Sequence, residues 1–511
     1  MIINEIHSGF PVLSVLLFLP LIAAGVLMTM KDEAAAYRLA LGASAAELLL
    51  ALVVWYNFVP DIADMQFVEK LGPVLGVSYH LGVDGISMLF VPATAVLSLL
   101  AVLYTDSSVK HNVRGYLAAL LAFEATMMGA FMAVDLFFFW LFFVAELIPS
   151  YMLIVRWGTG SERKEAGANY LVYMLLASAA ILVGFVLLAV NNGSAAGGFS
   201  FDYIELLKNP LPEKTQTLIF FILCLGFAIK APLFPLHTWM PKVLEQGPVV
   251  GMSVFLVGIK LGAYAFLRFI IPLLPQAAQE WYWLLAVLGA VSMVYGALIA
   301  LVQVNLRRVL AFASLSHMGV VMLGLFSLNF QGMQGGLLQM LNLGITGAGL
   351  FFVAGFLFTR MGPPDVTRMG GLQTHAPIMA MTFLIIGLAG IGMPGTSGFN
   401  GEHLVMLGAF KKHWVMALFV GMGTLLTASY FLWYYQRAFL GGTNKATSDF
   451  ADLHLTEKFI AASLTGIIFW IGLYTTPFLL TMNGSIRAIE AHVATGVAQA
   501  SADKLQGETV Q

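Results

Sequence analysis

Long apolar runs, repeated along nearly the whole chain, limit what this sequence can fold into more than any other feature. Each run is about 20 residues or longer, the length an α-helix needs to cross roughly 30 Å of hydrocarbon. With 59% hydrophobic and 10% charged residues over 511 positions, and a mean hydropathy of +0.86, there is too little polar side chain to cover a soluble surface. The expected fold class is an all-α polytopic membrane protein. About fourteen transmembrane helices are read from the pattern. They cover roughly 10–30, 38–58, 83–105, 113–133, 135–156, 168–191, 216–240, 247–271, 282–303, 306–328, 335–360, 377–408, 413–440 and 458–482. The stretch from Phe10 to Met30 has no basic segment before it and is followed by further spans, so it reads as retained, not as a cleaved signal.

Several chemistries are excluded at once. The single cysteine, Cys224, can make no disulfide, no CxxC metal site and no iron–sulfur cluster within the chain. There is no GxGxxG and no GxxxxGK[ST], hence no visible dinucleotide or nucleoside triphosphate site. His375, His403 and His413 lie near span ends without metal-ligand spacing. A net charge of -2 gives no case for nucleic acid. No cofactor is expected on this chain, and any redox groups would sit on others. Basic residues gather in loops after odd-numbered spans, such as Lys31, Arg38, Lys110, Arg114, Arg163 and Arg307, while the even loops hold mainly Lys70, Lys208, Lys214, Lys411 and Lys412. The positive-inside rule then places the odd loops in the cytoplasm and both termini outside.

Within the spans, ionisable residues are rare and correspondingly informative. Lys230 and Lys260 lie inside hydrophobic stretches, where an isolated ammonium costs roughly 3 kcal/mol or more, so a lysine there pairs, lines water or gives up its proton. Lys230 stands beside Ala231-Pro232-Leu233-Phe234-Pro235, which interrupts the seventh span. Glu402 follows Gly392-Met393-Pro394-Gly395-Thr396-Ser397-Gly398, which interrupts the twelfth. Pro232, Pro394 and Gly395 are the expected helix breaks, since proline removes a backbone donor and glycine loosens the helix. Broken helices at matching positions five spans apart point to an ion path and to two repeats. An odd number of helices per repeat requires the second to be inverted. The expected organisation is therefore residues 1–112 as three N-terminal helices, 113–271 and 282–440 as inverted five-helix repeats, and 441–511 as a last helix and tail.

Several stretches resemble the antiporter-like proton-translocating subunits of respiratory complex I, which are related to the Mrp antiporter subunits. They are Leu81-Gly82-Val83-Asp84-Gly85-Ile86-Ser87, Phe227-Ala228-Ile229-Lys230-Ala231-Pro232, Pro235-Leu236-His237-Thr238-Trp239-Met240-Pro241, Ser314-Leu315-Ser316-His317-Met318-Gly319 and Gly392-Met393-Pro394-Gly395-Thr396 ending in Phe399-Asn400-Gly401-Glu402. Together they cover most of the chain in the family's order. Among its members the chain resembles the NuoM or NdhD type, with an expected end soon after the fourteenth span and no long lateral helix of the NuoL kind. The resemblance implies a proton channel of two inverted half-channels driven by electron transfer elsewhere. Lys230 would be the switching lysine, Lys260 the central connecting one, His317 the next relay and Glu402 the group that loads or releases the proton. It also implies other membrane subunits, lipid and, indirectly, a hydrophilic redox arm as partners. NADH, flavin, iron–sulfur clusters and quinone would be on those partners. The expected location is the bacterial inner membrane, or alternatively the thylakoid membrane. Outside complex I, the same chain type would serve an Mrp-type cation/proton antiporter, an inorganic-carbon uptake complex, or a scaffold with a disabled path.

The departures from the family pattern matter as much. Where the family places a glutamate seven residues before Tyr151, this chain has Val144, and Glu146 follows two residues later. Two residues turn a helix by about 200°, so Glu146 starts from nearly the opposite face. Glu124 is the competing acid for the same half-channel. Leu343 replaces a common family histidine, between Asn342 and Thr346. Each residue also has a structural reading: Lys230 and Lys260 as packing ion pairs, His317 as a hydrogen bonder between helices, Glu402 as a helix cap.

Overall fold

The computed structural model describes residues 3–196, 198–209 and 211–508, with the backbone alone for 193–196 and 497–508. Among them, twelve helices are long and apolar enough to cross a membrane. The seventh and twelfth expected spans are not in that set, because each is divided. The seventh is Glu213–Lys230 followed by Trp239–Gln246, and the twelfth is Pro377–Ile391 followed by Ser397–Lys412. Both divisions fall at the prolines and glycines expected to cause them. After Lys230 the chain runs through Pro232 and Pro235, and side chains take up the backbone groups set free there. Trp239 Nε1 donates to Ile229 O at 3.0 Å, and Phe234 N donates to Ser292 Oγ at 2.9 Å. In the second break Gly392 has φ +82, and a Cβ there would lie 2.5 Å from a Glu402 oxygen. Only glycine meets both conditions.

Helix starts are set by short polar residues that bond free N–H groups. Asp135 accepts from Phe137 N and Phe138 N, Asn305 from Arg307 N, and Asn329 from Gly332 N. The fifth span is continuous from Leu136 to Trp157, with Glu146 itself helical at φ -56 and ψ -29. Pro149 has no N–H to return to Ala145, which loosens this turn.

Two parts of the fold differ from expectation. The third span was expected from residue 83, but its helix is Phe90–Ser108, and the preceding residues form a small sheet. Strand β1 (Glu5–His7) pairs in parallel with β2 (Met65–Val74), which pairs antiparallel with β3 (Val77–Val83). Leu75 and Gly76 close the hairpin with φ of 54 and 78, the left-handed pair of a tight two-residue turn. The second difference is at the C-terminus, where a short tail was expected after a span over 458–482. Instead a helix at Leu455–Leu473 gives way, before Pro477, to a further helix of 33 residues, Thr476–Glu508. Its buried Phe478, Met482, Ile486, Ile489 and Val493 form one stripe at helical spacing, with polar residues between. Average hydropathy does not register such an amphipathic helix.

A buried ion pair ties this last helix to the bundle. Arg268 lies in a π-helical turn, Phe266–Ile270, and donates two bonds of 2.7 Å to the two oxygens of Asp84. Ser485 of the C-terminal helix donates to Asp84 at 3.3 Å and accepts from Gly85 N at 3.0 Å. A Cβ on Gly85 would lie 2.3 Å from Thr481 O, so the close approach requires glycine.

The sheet has its own charged clasp. His80 Nδ1 lies 2.8 Å from Asp202, and Lys70 Nζ bridges Asp202 and Glu5 at 2.9 and 3.1 Å. Burial alone would raise the Asp202 carboxyl, but the His80 and Lys70 bonds outweigh it and hold it below the usual carboxylate range. A carboxyl lowered on folding stabilises above its ordinary value of 3.8, and that stabilisation is lost as pH falls through the lower folded value. We therefore expect amide protection in the hairpin to be flat through neutral pH and to drop only in acid. Asp202→Asn should remove the acid transition and lower hairpin protection at neutral pH, as read by hydrogen exchange.

Candidate functional site

Several of the ionisable residues in the spans follow one another along a single line through the core. At one end of the line, Lys230 is the last residue of its helix, where a cation also meets the negative end of the helix dipole. Its Nζ lies 2.7 Å from both oxygens of Glu146, with both side chains 1% exposed. The Phe143 ring covers the ammonium at 5.1 Å. Glu146 thus occupies the place of the acid missing at Val144. The two-residue displacement from Val144, about 200° on an ideal helix, does not keep this carboxylate from the lysine, because Lys230 approaches the face that Glu146 occupies. Glu124 does not reach this lysine; its interactions are with Glu47 and Ser98.

The next member, Lys260, lies on Gly251–Ala265, whose Gly258 is packed against a Glu146 oxygen. Lys260 is 1% exposed and its Nζ has no hydrogen-bond partner. Around it are Phe90, Ala93, Leu97, Val257, Met340, Leu341 and Ile345, an apolar shell that gives the charge no counter-ion. The charge of Lys260 acts on His317, on Leu306–Leu325. His317 Nε2 lies 3.3 Å from Tyr430 OH. It lines a cavity of about 40 Å³ with Ser314, Thr346, Thr427 and Tyr430, enough for a small number of waters. Leu343 lines the same cavity, so the residue in place of the family histidine is apolar wall.

Beyond His317 the polar groups continue to Glu402. Glu402 is 6% exposed, accepting from Thr424 Oγ1 at 3.1 Å and from Gln339 Nε2 at 3.4 Å. Asn342 Nδ2 donates to Ser397 O at 2.6 Å, at the start of the helix that follows the break. Two stripes frame this end: Gln339, Asn342 and Thr346 on Phe330–Met361, and Thr424, Thr427 and Tyr430 on Trp414–Phe439. Except for Asn342 and Thr346, these were not singled out from the sequence. The signal that identifies them is polar residues at three- and four-residue spacing inside otherwise apolar helices.

The arrangement can hold and pass protons, because its members are titratable or hydroxylated groups in sequence through an apolar core. One group of possible metal ligands exists among the described residues, Glu5, His80 and Asp202. Lys70 already supplies its cation.

Comparison with known proteins identifies the family. The family described as NADH:quinone oxidoreductase/Mrp antiporter, transmembrane, matches residues 133–427. The NADH-quinone oxidoreductase subunit M of Rhodobacter capsulatus is 37% identical over 490 residues, covering 92% of this chain and 94% of that protein. NADH-ubiquinone oxidoreductase chain 4 of Marchantia polymorpha is 32% identical over 489 residues, covering 94% and 97%. Among solved structures, a chain of respiratory complex I from Thermus thermophilus with bound NADH superposes with a TM-score of 0.87 at 30% identity, covering 94% of this chain and 99% of that one. A chain of the Mrp complex from Dietzia sp. DQ12-45-1b shares the fold, with a TM-score of 0.83 at 20% identity, covering 95% and 100%. The chain therefore belongs to the NADH:quinone oxidoreductase/Mrp antiporter transmembrane family, in the company of the subunit M proteins.

Proposed function

We propose that this chain is a proton-translocating membrane subunit of a complex I-type NADH:quinone oxidoreductase. It moves protons and carries no redox group itself; NADH, flavin, iron–sulfur clusters and quinone belong to partner subunits, and the chain meets other membrane subunits and lipid. The observation that carries the reading is the direct Glu146–Lys230 pair at the head of a buried line through Lys260 and His317 to Glu402. In this reading the inner membrane of a bacterium is its site, both termini lie outside, and residues 113–271 and 282–440 form two inverted half-channels.

The mechanism follows from the pair. While Glu146 lies against Lys230, the ammonium is favoured by Coulomb attraction in a dry site. Moving the carboxylate away leaves a buried charge without a partner, and the proton is released toward Lys260, whose apolar shell holds no anion to trap it. His317 takes it next, since an imidazole can accept a proton at one ring nitrogen and donate one from the other. Glu402, held by Thr424 and Gln339, is the terminal acceptor. The first test is purification of the chain with its native partners, followed by proton uptake in vesicles driven by NADH and quinone. Proton uptake that depends on this chain supports the reading; sodium flux without quinone reduction would replace it with antiport. Lys260→Arg is expected to cut proton uptake by an order of magnitude or more while electron transfer persists, because a guanidinium does not deprotonate in a protein.

A further inference from the structure

Two carboxyl groups lie off the line just described. Glu47, on Glu33–Tyr56, and Glu124, on Val113–Met132, are both fully buried. They face one another, with Ser98 of Phe90–Ser108 against Glu124. None of the four carboxyl oxygens has a hydrogen bond of good geometry, and the buried hydroxyls of Ser98 and Ser44 are unpartnered as well. From the helices packed around the pair, the groups that act on it are the two acids themselves and Ser98, with no cation among them. Phe123 and Met127 of the same helix meet Gly258 beside Glu146, whereas Glu124 interacts with Glu47 and Ser98.

Two ionised carboxylates in such a place combine two unfavourable effects. Each loses its hydration, and each repels the other without a counter-charge. One proton between them converts the repulsion into an O–H···O bond and supplies a donor where the ionised acids have none. The helix Glu33–Tyr56 otherwise reaches its neighbours mainly through small side chains, Ala36, Ala40, Ala43 and Ala51. Its other polar contacts are near its two ends, Tyr37 OH donating to Leu103 O at 3.3 Å and Trp55 Nε1 to Thr481 Oγ1 at 3.4 Å.

We propose that Glu47 and Glu124 form a second proton-binding site, separate from the Lys230–Glu402 line. At neutral pH the two carboxyl groups hold at least one proton between them, and this bond docks the helix Glu33–Tyr56 onto Val113–Met132. The six oxygens of Glu47, Glu124, Ser44 and Ser98 are also the hard donor type that binds an alkali cation, so the test must distinguish the two occupants.

The test uses infrared difference spectra of the whole assembled complex. Wild type minus Glu124→Gln at neutral pH is expected to show the carbonyl band of a protonated carboxylic acid. The same band should be lost in Glu47→Gln, and it should be unchanged when sodium and potassium are replaced by a bulky organic cation. Absence of the band in both differences, or its appearance only when alkali ions are withdrawn, would overturn the proposal. If neither variant assembles, density maps of the wild-type complex with and without sodium decide instead. A closest carboxyl oxygen–oxygen distance below about 3 Å with nothing between requires a proton. Oxygens parted around a resolved ion, or parted with none, rule the shared proton out.

Discussion

Lys230→Ala is expected to reduce proton uptake to background in vesicles while electron transfer in the assembled complex continues at a lower, uncoupled rate. Alanine removes the titratable amine, but it also leaves Glu146 buried without its partner at 1% exposure. Breaking one side of a buried pair costs about 3–5 kcal/mol unless the remaining acid takes a proton, so the single variant mixes lost function with lost stability. The double variant Lys230→Ala/Glu146→Gln separates them, because neither residue can then carry a buried charge. Glu146→Gln alone keeps shape and hydrogen-bonding capacity while removing the charge that favours the ammonium. It should impair proton uptake about as much as loss of the lysine. In a double-mutant cycle the two losses should be far from additive, with a coupling of about 1–3 kcal/mol for residues in direct contact. Additive losses, or normal pumping by Glu146→Gln, would show that the 2.7 Å contact is packing and not a switch.

The second large effect is on stability. Arg268→Ala leaves Asp84 as a buried carboxylate without its two charged hydrogen bonds, and Ser485 of the C-terminal helix loses its fixed partner. The expected cost is about 3–5 kcal/mol, enough to strip much of the protein from the assembled complex or to lower its melting temperature markedly. Replacing both residues together, Asp84→Leu with Arg268→Met, should restore most of the assembly, since no charge remains to be buried. Thermal melting of the purified complex compares the two. Equal damage in the double variant would mean that the side-chain shapes matter, not the unpaired charge.

How far the sequence reached depends on the range of the forces involved. Membrane insertion is decided locally, by whether some 20 consecutive residues are apolar, so the helical class and most spans could be read from the chain. Helix breaks are local too. Proline at 232 and 394 and glycine at 392 and 395 act on their own backbone, and both divisions occur there. Strand β1 was missed because its partner is 60 residues away, as with Glu5 and Met65, whereas the β2–β3 hairpin is a local pairing that the reading of a span from residue 83 passed over. The C-terminal helix was missed because its apolar stripe is visible only as a period, not as an average.

The identities of Lys230, Lys260, His317 and Glu402 as buried ionisable residues were set by the sequence alone, since an ionisable group within an apolar span has nowhere else to be. Which of them touch was not. Ideal helical geometry puts Glu146 on nearly the opposite face from Val144, and only the packing of the helices shows that Lys230 and Gly258 meet that face. In the same way, Glu124 read as an isolated acid until the fold placed Glu47, 77 positions earlier in the chain, against it. Burial and periodicity follow from the residues nearby in the chain, whereas a charge partner across helices exists only once those helices are packed.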